Sequence, residues 1–394
     1  MEYPFADRMS GLQASAIREI LKFTADPTVI SFAAGNPAPE AFPIEDVRRI
    51  TAEILSEEPV AALQYSVTEG YAPLRALVRE DLKARCRIGS EQDDIVITAG
   101  AQQAIELTCK TLCNPGDVVL CENPSFVGSL NSFKSYEGRL VGVPVEADGI
   151  SIAALEQALE ENPGAKLLYT IPNFQNPSGV TMSLAKRRKV YALCLSHGVK
   201  ILEDNPYGDL RFAGEDVPAI KTLDTEGIVY YAGTFSKVLS PGLRVGYLLA
   251  PKEAIQKVVV CMQASTAHTS ILSQMICYRF RREVDYAAHL AKLRKIYRHK
   301  SSLMIDGLRA HAGGKLAFHE PEGGLFIWCR LPDGVDMPAF CLNAVKNKVA
   351  VVPGTAFMPN QTDQTQCFRL NFSTPTDEQL IQGVEILGRL AKEI

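Results

Sequence analysis

The residues most able to do chemistry lie in one turn-rich segment that follows the strand-like apolar run 228–232. Lys237 stands in this segment, and Arg244 follows it by seven positions. A lysine becomes a nucleophile toward carbonyl groups when desolvation or a nearby cation lowers its pKa. The hydroxyls of Thr234 and Ser236, together with Arg244, can donate charge-assisted hydrogen bonds to a phosphate. The segment therefore indicates a lysine that binds pyridoxal 5'-phosphate (PLP), although a solvated loop lysine beside a structural arginine would give the same short pattern.

Two earlier turn-rich segments carry side chains that suit the ring of the same cofactor. Asp204 ends a short buried strand that breaks into a turn at Pro206. PLP accepts electrons only while its pyridine nitrogen stays protonated, and an aspartate beside that nitrogen maintains this state. Asn176 and Tyr207 are candidates to contact the phenolic oxygen of the ring. The alternatives are a capping or turn aspartate and an ordinary turn asparagine before proline.

A further candidate is the segment in which the β-branched run 95–98 is followed by Gly100, Ala101 and Gln102. A strand, a small-residue turn and a helix start leave backbone N–H groups free to bind phosphate. The segment lacks the dinucleotide-binding glycine pattern and the Walker lysine, which disfavours nicotinamide and nucleoside triphosphate cofactors. Phe126, in the loop after the next predicted strand, is placed to stack on a pyridine ring, but an aromatic at a loop end also suits plain core.

Composition limits the function classes. The chain has 394 residues, 46% of them hydrophobic, and a net charge of -4, so nucleic-acid binding is not indicated. Its ten cysteines form no C-x-x-C pair and no zinc-binding spacing, and no metal site is expected. We find no targeting segment and no apolar run near the roughly 20 residues that cross a membrane. These features predict a cytoplasmic protein with reduced thiols.

The order of these segments resembles the fold type I PLP-dependent aminotransferases of class I/II, and within them the 2-aminoadipate/kynurenine aminotransferase subgroup. The resemblance runs from about Ser31 to the C-terminus. It is carried by Gly100-Ala101-Gln102, Asn123-Pro124-Ser125-Phe126, Pro172 to Gly179, Asp204-Asn205-Pro206-Tyr207, Ser236-Lys237 with Arg244, and Arg369 to Ser373.

The resemblance implies a role for each candidate. Lys237 would bind PLP covalently, Asp204 would hold the pyridine nitrogen, and Tyr207 would act beside them, giving three catalytic residues. The cofactor-binding set would be Gly100, Ala101, Gln102, Phe126, Asn176, Asp204, Tyr207, Thr234, Ser236, Lys237, Arg244 and Tyr65. Family members more often carry serine or threonine at the position of Ala101, so one side-chain contact to the phosphate is expected to be missing here.

The resemblance also predicts the substrate side. Arg369 would bind the α-carboxylate through a bidentate fork, with a surface edge-strand arginine as the alternative. Gly35 and Asn176 would contact the bound amino acid, and Tyr65 would reach the phosphate of the neighbouring subunit, so that a homodimer shares its active sites. Arg18, on a short amphipathic helix, would meet a distal carboxylate, whereas most helical arginines are solvated.

Strand-like runs alternating with helical stretches predict an α/β fold, with a mostly parallel seven-stranded sheet flanked by helices and a smaller α+β domain. We expect an N-terminal arm and substrate loop over 1–45, packed with the small domain. The large PLP-binding domain would span 46–285 and the small domain 286–394.

The implied activity moves an amino group between an L-amino acid and a 2-oxo acid by a ping-pong mechanism. A broad range is expected, including glutamate, 2-aminoadipate and aromatic or aliphatic donors. Another PLP reaction, such as that of a β-lyase or decarboxylase, would use the same cofactor contacts, although Arg369 disfavours decarboxylation. A non-enzymatic regulatory domain of this fold would follow a DNA-binding module, for which the sequence before the substrate loop leaves no room.

Overall fold

The computed structural model describes residues 4–12, 26–360 and 362–394. Its strands are β1 (Ile30–Ser31), β2 (Asp93–Thr98), β3 (Val118–Asn123), β4 (Arg139–Glu146), β5 (Gly149–Ile150), β6 (Leu167–Thr170), β7 (Lys200–Asp204), β8 (Val229–Thr234), β9 (Gly246–Pro251), β10 (Ala317–Phe318), β11 (Phe326–Arg330), β12 (Val349–Ala350), β13 (Val352–Pro353) and β14 (Cys367–Asn371). Its α-helices are α1 (Ile44–Glu57), α2 (Pro59–Leu63), α3 (Ala72–Asp81), α4 (Ala101–Leu112), α5 (Val127–Ser135), α6 (Ile152–Glu161), α7 (Leu184–Ser196), α8 (Lys252–Gln263), α9 (Ile271–Glu283), α10 (Tyr286–His311), α11 (Met337–Lys346) and α12 (Asp377–Lys392).

The large sheet confirms the predicted α/β class. In the described residues it has eight strands in the order β2-β9-β8-β7-β6-β3-β4-β5. Seven of them match the predicted runs, and the eighth, β5, has only two residues, which is too short to show a sequence pattern. The pairs β8–β7, β7–β6, β6–β3 and β3–β4 are parallel, and β9 runs antiparallel to both β2 and β8. The carboxyl ends of β2, β3, β6, β7 and β8 therefore meet at one edge.

Both faces of this sheet are covered, which explains why the central residues of strands such as β3, β6, β7 and β8 are apolar on both faces. Val118 of β3 belongs to a buried cluster that contains Val190 of α7. The next residue, Val119, points to the other face and belongs to a cluster with Leu107 of α4 and Val258 of α8. Burying each such side chain contributes about 1.5–3 kcal/mol, so the sheet is a rigid platform for the loops at its edge.

The C-terminal part of the chain forms a second, four-stranded antiparallel sheet in the order β10-β11-β14-β13. The long helix α10 precedes it. The N-terminal segment joins this part of the molecule, because β1 pairs in parallel with β12 and Asn371 N donates to Phe32 O over 2.8 Å. The division into 1–45, 46–285 and 286–394 stays a prediction. None of the described helices is long and apolar enough to cross a membrane.

Candidate active site

Lys237 lies three residues after β8, in the turn that leads toward β9. Its Nζ donates a hydrogen bond to Gly35 O over 2.8 Å. Burial, together with the nearby charges of Arg369 and Arg244, lowers the pKa of Lys237 to about 8. A lysine with such a pKa has a substantial fraction of free amine near neutral pH, as a nucleophile toward an aldehyde requires.

Asp204 is the last residue of β7, and its carboxylate is buried. One oxygen, Oδ2, accepts a hydrogen bond from Tyr169 Oη over 2.9 Å. The other, Oδ1, is buried and has no hydrogen-bond partner among the described residues. Burial raises the pKa of Asp204 to about 7, and the bond from Tyr169 and the charge of Lys237 oppose that rise. An unpaired buried oxygen costs about 1–3 kcal/mol, so Oδ1 marks a place for a donor from a bound molecule.

Asn176 forms hydrogen bonds with both Tyr207 and Arg369. Its Nδ2 lies 3.5 Å from Tyr207 Oη, to which it donates, and its Oδ1 accepts from Arg369 Nη1 over 2.8 Å. Tyr207 is buried and packs edge-on against Phe326, with ring centroids 5.7 Å apart. Because burial raises the pKa of Tyr207, its hydroxyl stays protonated and can donate.

Arg369 lies on β14, an inner strand of the second sheet, and only 2% of it is exposed. The surface edge-strand interpretation is therefore excluded. Its Nη2 donates to Ala33 O over 2.7 Å, and its guanidinium stacks on Phe326 and Phe357, 4.3 Å and 4.8 Å from their centroids. Nε is buried without a hydrogen-bond partner in the part of the chain described. A buried cation that meets no protein carboxylate is suited to bind a carboxylate from outside.

The start of α4 borders the site at the end of β2. Gly100 precedes the helix with φ 77°, a conformation that favours glycine, and no side chain caps the helix. The first backbone N–H groups of α4, from Ala101 onward, are therefore available to an anion. The Gln102 side chain instead donates to Gly128 O and Ser132 Oγ, so only its backbone amide can face a ligand.

Arg244 lies beside this helix start. Its Nη2 donates to Ala99 O over 2.9 Å, and a Cβ at Gly100 would come within 2.6 Å of the same nitrogen. Thr234 Oγ1 donates to Ser236 Oγ over 2.9 Å at the end of β8. Arg244 is exposed to solvent. The guanidinium, two hydroxyls and the helix start are together the donor set that a phosphate needs.

Phe126 immediately precedes α5 and is half-buried. Its loop is fixed by Glu122, a fully buried acid at the end of β3 that sequence reasoning did not assign. Glu122 accepts from Thr170 Oγ1 over 2.6 Å and from Gln175 Nε2 over 3.1 Å, and Gln175 Nε2 also donates to Pro124 O over 2.7 Å. Burial raises the pKa of Glu122 to about 7. Tyr169 was missed as well, because a buried tyrosine on a central strand has the pattern of ordinary core.

Two predicted residues are not brought into this constellation by the described chain. Tyr65 lies on the surface with 82% of it exposed, edge-on to His268 at 5.8 Å. Val60, Leu63 and Val67 around it in the sequence are exposed too. Arg18 lies outside the described residues.

The residues of the site fit PLP. The orphaned Asp204 Oδ1 suits a protonated pyridine nitrogen, the Lys237 amine suits an aldehyde, and the donors beside Gly100 suit a phosphate. No group of three or more His, Cys, Asp or Glu side chains in the described ranges could hold a metal ion.

Comparison with known proteins gives the same assignment. Residues 27–387 match the family model of aminotransferase class I and II. The chain is 38% identical to aromatic-amino-acid aminotransferase 1 of Thermococcus litoralis, over 99% of this chain and 94% of the relative, and 39% identical to 2-aminoadipate transaminase of Thermus thermophilus, over 97% and 94%. The crystal structure of Pyrococcus horikoshii kynurenine aminotransferase in complex with PMP superposes with a TM-score of 0.95 at 36% identity, over 99% of this chain and 97% of that one. The chain therefore belongs to the class I and II aminotransferases and is a PLP-dependent enzyme of that family.

Proposed function

We propose that this enzyme transaminates a broad range of L-amino acids at a site in which Lys237 and Arg369 converge on one substrate loop. The observation that carries the proposal is the pair of hydrogen bonds from Lys237 Nζ to Gly35 O and from Arg369 Nη2 to Ala33 O. These bonds bring the Lys237 amine and a guanidinium that meets no carboxylate among the described residues to the same three-residue segment. An α-amino acid held by its carboxylate at Arg369 would present its α-carbon toward Lys237.

Each side chain has a defined task in this mechanism. Bound PLP supplies a ring that delocalises the negative charge left on the α-carbon of the substrate. Lys237 Nζ would take up the α-proton of the substrate and then give it up to complete the transfer, and its lowered pKa favours the free amine that this requires. Asp204 Oδ1 would keep a proton on the pyridine nitrogen. Asn176 and Tyr207 would donate to the phenolic oxygen, and Arg369 would fix the carboxylate.

The phosphate end has its own set of contacts. We assign it to the N–H groups of Ala101 and Gln102 after Gly100, and to Thr234, Ser236 and Arg244. Phe126 would stack on the ring. Tyr65 of a second copy of this chain would complete the phosphate site, which makes the functional unit a homodimer. The exposed Arg244 and the exposed Tyr65 with its apolar neighbours support this assembly.

Substrates are proposed to include glutamate and 2-aminoadipate as well as aromatic and aliphatic donors, in a role in amino-acid biosynthesis. The names of the relatives above, which refer to aromatic amino acids, 2-aminoadipate and kynurenine, support this range. Arg18 is our candidate for binding a distal carboxylate. The ten free cysteines support a reducing, cytoplasmic location.

The test is a panel of amino acids added singly to the PLP-loaded protein, with the loss of the cofactor's visible absorbance as the readout. Wild type should respond to dicarboxylic, aromatic and aliphatic donors, and Arg18→Ala should lose response selectively for the two diacids. Lys237→Ala should lose borohydride-trapped cofactor and slow the response by about 10²- to 10⁴-fold or more. Lys257→Ala, at an exposed lysine of α8, is the matched control. Covalent trapping at another lysine in Lys237→Ala would refute the assignment.

A further inference from the structure

Arg187 is a charged residue in the interior that the mechanism does not use. It lies on α7, and none of its surface is exposed. Its side chain donates five hydrogen bonds of 2.7–3.2 Å, to the backbone oxygens of Met182, Val217, Pro218 and Pro172 and to Asn173 Oδ1. No carboxylate is among its hydrogen-bond partners in the described chain. Burying a guanidinium on neutral acceptors is costly, so its retention calls for a specific reason.

A series of hydrogen bonds leads from this guanidinium through two side-chain amides to a tyrosine hydroxyl. Asn173 Nδ2 donates to Asn205 Oδ1 over 2.9 Å, and Asn205 Nδ2 donates to Tyr231 Oη over 2.7 Å. We call Asn173, Asn205 and Tyr231 the amide relay. It connects the loop after β6, the loop after β7 and strand β8.

The relay lies close in the sequence to two residues of the proposed site. Asn173 is three residues before Asn176, and Asn205 directly follows Asp204. Successive residues of a strand point to opposite faces of the sheet. Asn173 and Tyr231 can therefore hold the Asn205 side chain on one face while Asp204 faces the cofactor site on the other. Asn205 N also donates to Ala232 O over 2.9 Å, which extends the β7–β8 pairing past Asp204.

The packing around Asn205 is specific. A Cβ at Gly208 would come within 2.6 Å of both Asn205 Oδ1 and Nδ2. The absence of a side chain at this position gives the amide its place between the two loops. A side chain held by two hydrogen bonds and by a close backbone has a single orientation available.

We propose that the amide relay, anchored by Arg187, is a positioning device that sets Asn176 and Tyr207 relative to Asp204. It would fix the distance between the donors to the phenolic oxygen and the acceptor of the ring-nitrogen proton. Its side chains bond to one another and to Arg187, and we assign none of them to the substrate or the cofactor, so they are positioning residues. This inference rests on the proposed function, because it assigns a purpose to the geometry of that site.

The experiment removes one hydroxyl from the end of the relay. Tyr231→Phe deletes the acceptor of Asn205 Nδ2 with little change of shape. Tyr230→Phe is the matched control, because Tyr230 is also buried but points to the opposite face of β8. Asn205→Ala interrupts the relay at its centre. The readouts are the pH titration of the bound cofactor's absorbance, kcat and KM for one donor, and the melting temperature of the PLP-free protein.

We expect the absorbance midpoint to rise in Tyr231→Phe by about half to one pH unit, because misplaced donors at Asn176 and Tyr207 stabilise the deprotonated phenolic oxygen less well. The kcat value should fall about fivefold with KM unchanged, which corresponds to about one hydrogen bond. Asn205→Ala should show a larger shift in the same direction, and Tyr230→Phe none.

The relay would be refuted if Tyr231→Phe and Asn205→Ala had the same absorbance midpoint as Tyr230→Phe. A fall in their melting temperatures alone would show only a structural role for these residues. The proposed function would survive that result. It fails separately if the wild type binds PLP without a covalent link to Lys237.

Discussion

The ring and carboxylate end of the active site differs from the phosphate end in how many of its contacts a single chain provides. At the ring and carboxylate end, Asp204, Asn176 and Arg369 are all buried, and their polar atoms bond to other protein atoms except for Asp204 Oδ1 and Arg369 Nε. At the phosphate end, Arg244 is exposed, and the tyrosine proposed to join it, Tyr65, is on the surface. The first end is fixed by the core, whereas the second is completed by another chain in the homodimer that we propose. Substitutions at the two ends should therefore differ in kind as well as in size.

The largest effect is expected at Arg369. Arg369→Ala removes a buried partner for the substrate carboxylate, and such losses cost about 2–5 kcal/mol. We expect kcat/KM for every donor to fall by roughly 10²-fold or more. Arg369→Lys should recover little, because an ammonium lacks the bidentate fork. Arg330→Ala, at the exposed end of β11, is the control. Equal losses of kcat/KM in Arg369→Ala and Arg330→Ala would show that Arg369 does not bind the substrate carboxylate.

Asp204→Asn should change stability and turnover in opposite directions. The unfolded carboxylate ionises near pH 4, but burial delays ionisation in the folded protein to about pH 7. The folded state then binds more protons between these values, so the free energy of unfolding of the PLP-free wild type falls as pH rises through this window. Asparagine carries no such charge, and the PLP-free variant should be more stable by about 1–4 kcal/mol at pH 8.

The same variant should lose kcat, because the amide cannot keep the ring nitrogen protonated. Thermal unfolding of the PLP-free protein at pH 5 and pH 8, with the exposed Asp306→Asn as control, measures the first effect. A wild type and Asp204→Asn with parallel pH profiles would show that Asp204 is already charged and paired before the cofactor binds.

The smallest of the three effects is expected at the phosphate end. Tyr65→Phe should weaken PLP binding by about 10- to 150-fold, since a hydrogen bond to a charged group contributes about 1.5–3 kcal/mol. Mixing Lys237→Ala chains with Tyr65→Phe chains should restore one site of wild-type affinity in each mixed dimer. Mixing Lys237→Ala with wild type provides the reference. Affinity that stays at the Tyr65→Phe value after mixing would show that each chain supplies its own phosphate contact.

The sequence predicted seven strands of the large sheet, because each of them contains an apolar run. The ends of these strands and the loops after them carry Asn176, Asp204 and Lys237 in an order that the family resemblance reinforces. The two-residue strand β5 was missed because so short a segment has no periodicity. The number of residues in a pattern thus limits what can be inferred from it.

Side-chain direction was the part that the sequence could not supply. Gln102 lies in the expected turn, but its amide bonds to α5, because the neighbouring backbone at Gly128 offers an acceptor. Arg187 stands in the charged run Lys186-Arg187-Arg188-Lys189, which reads as a solvated helix face, and yet it is completely buried. Glu122 resembles a loop acid in the same way. In each case the partners come from distant segments, and only the tertiary structure brings them together.

The parallel pairing of β1 with β12 has a consequence for the order in which the protein can be assembled. The residues that surround the ring lie between β2 and β9, and all eight strands of their sheet come from that part of the chain. The carboxylate end needs Ala33, near the start of the chain, and Arg369, near its finish. Contacts so far apart in the sequence are slow to form, because the long intervening loop must close first. The ring-binding part of the site therefore draws on one continuous portion of the chain, whereas its carboxylate-binding part joins segments 336 residues apart.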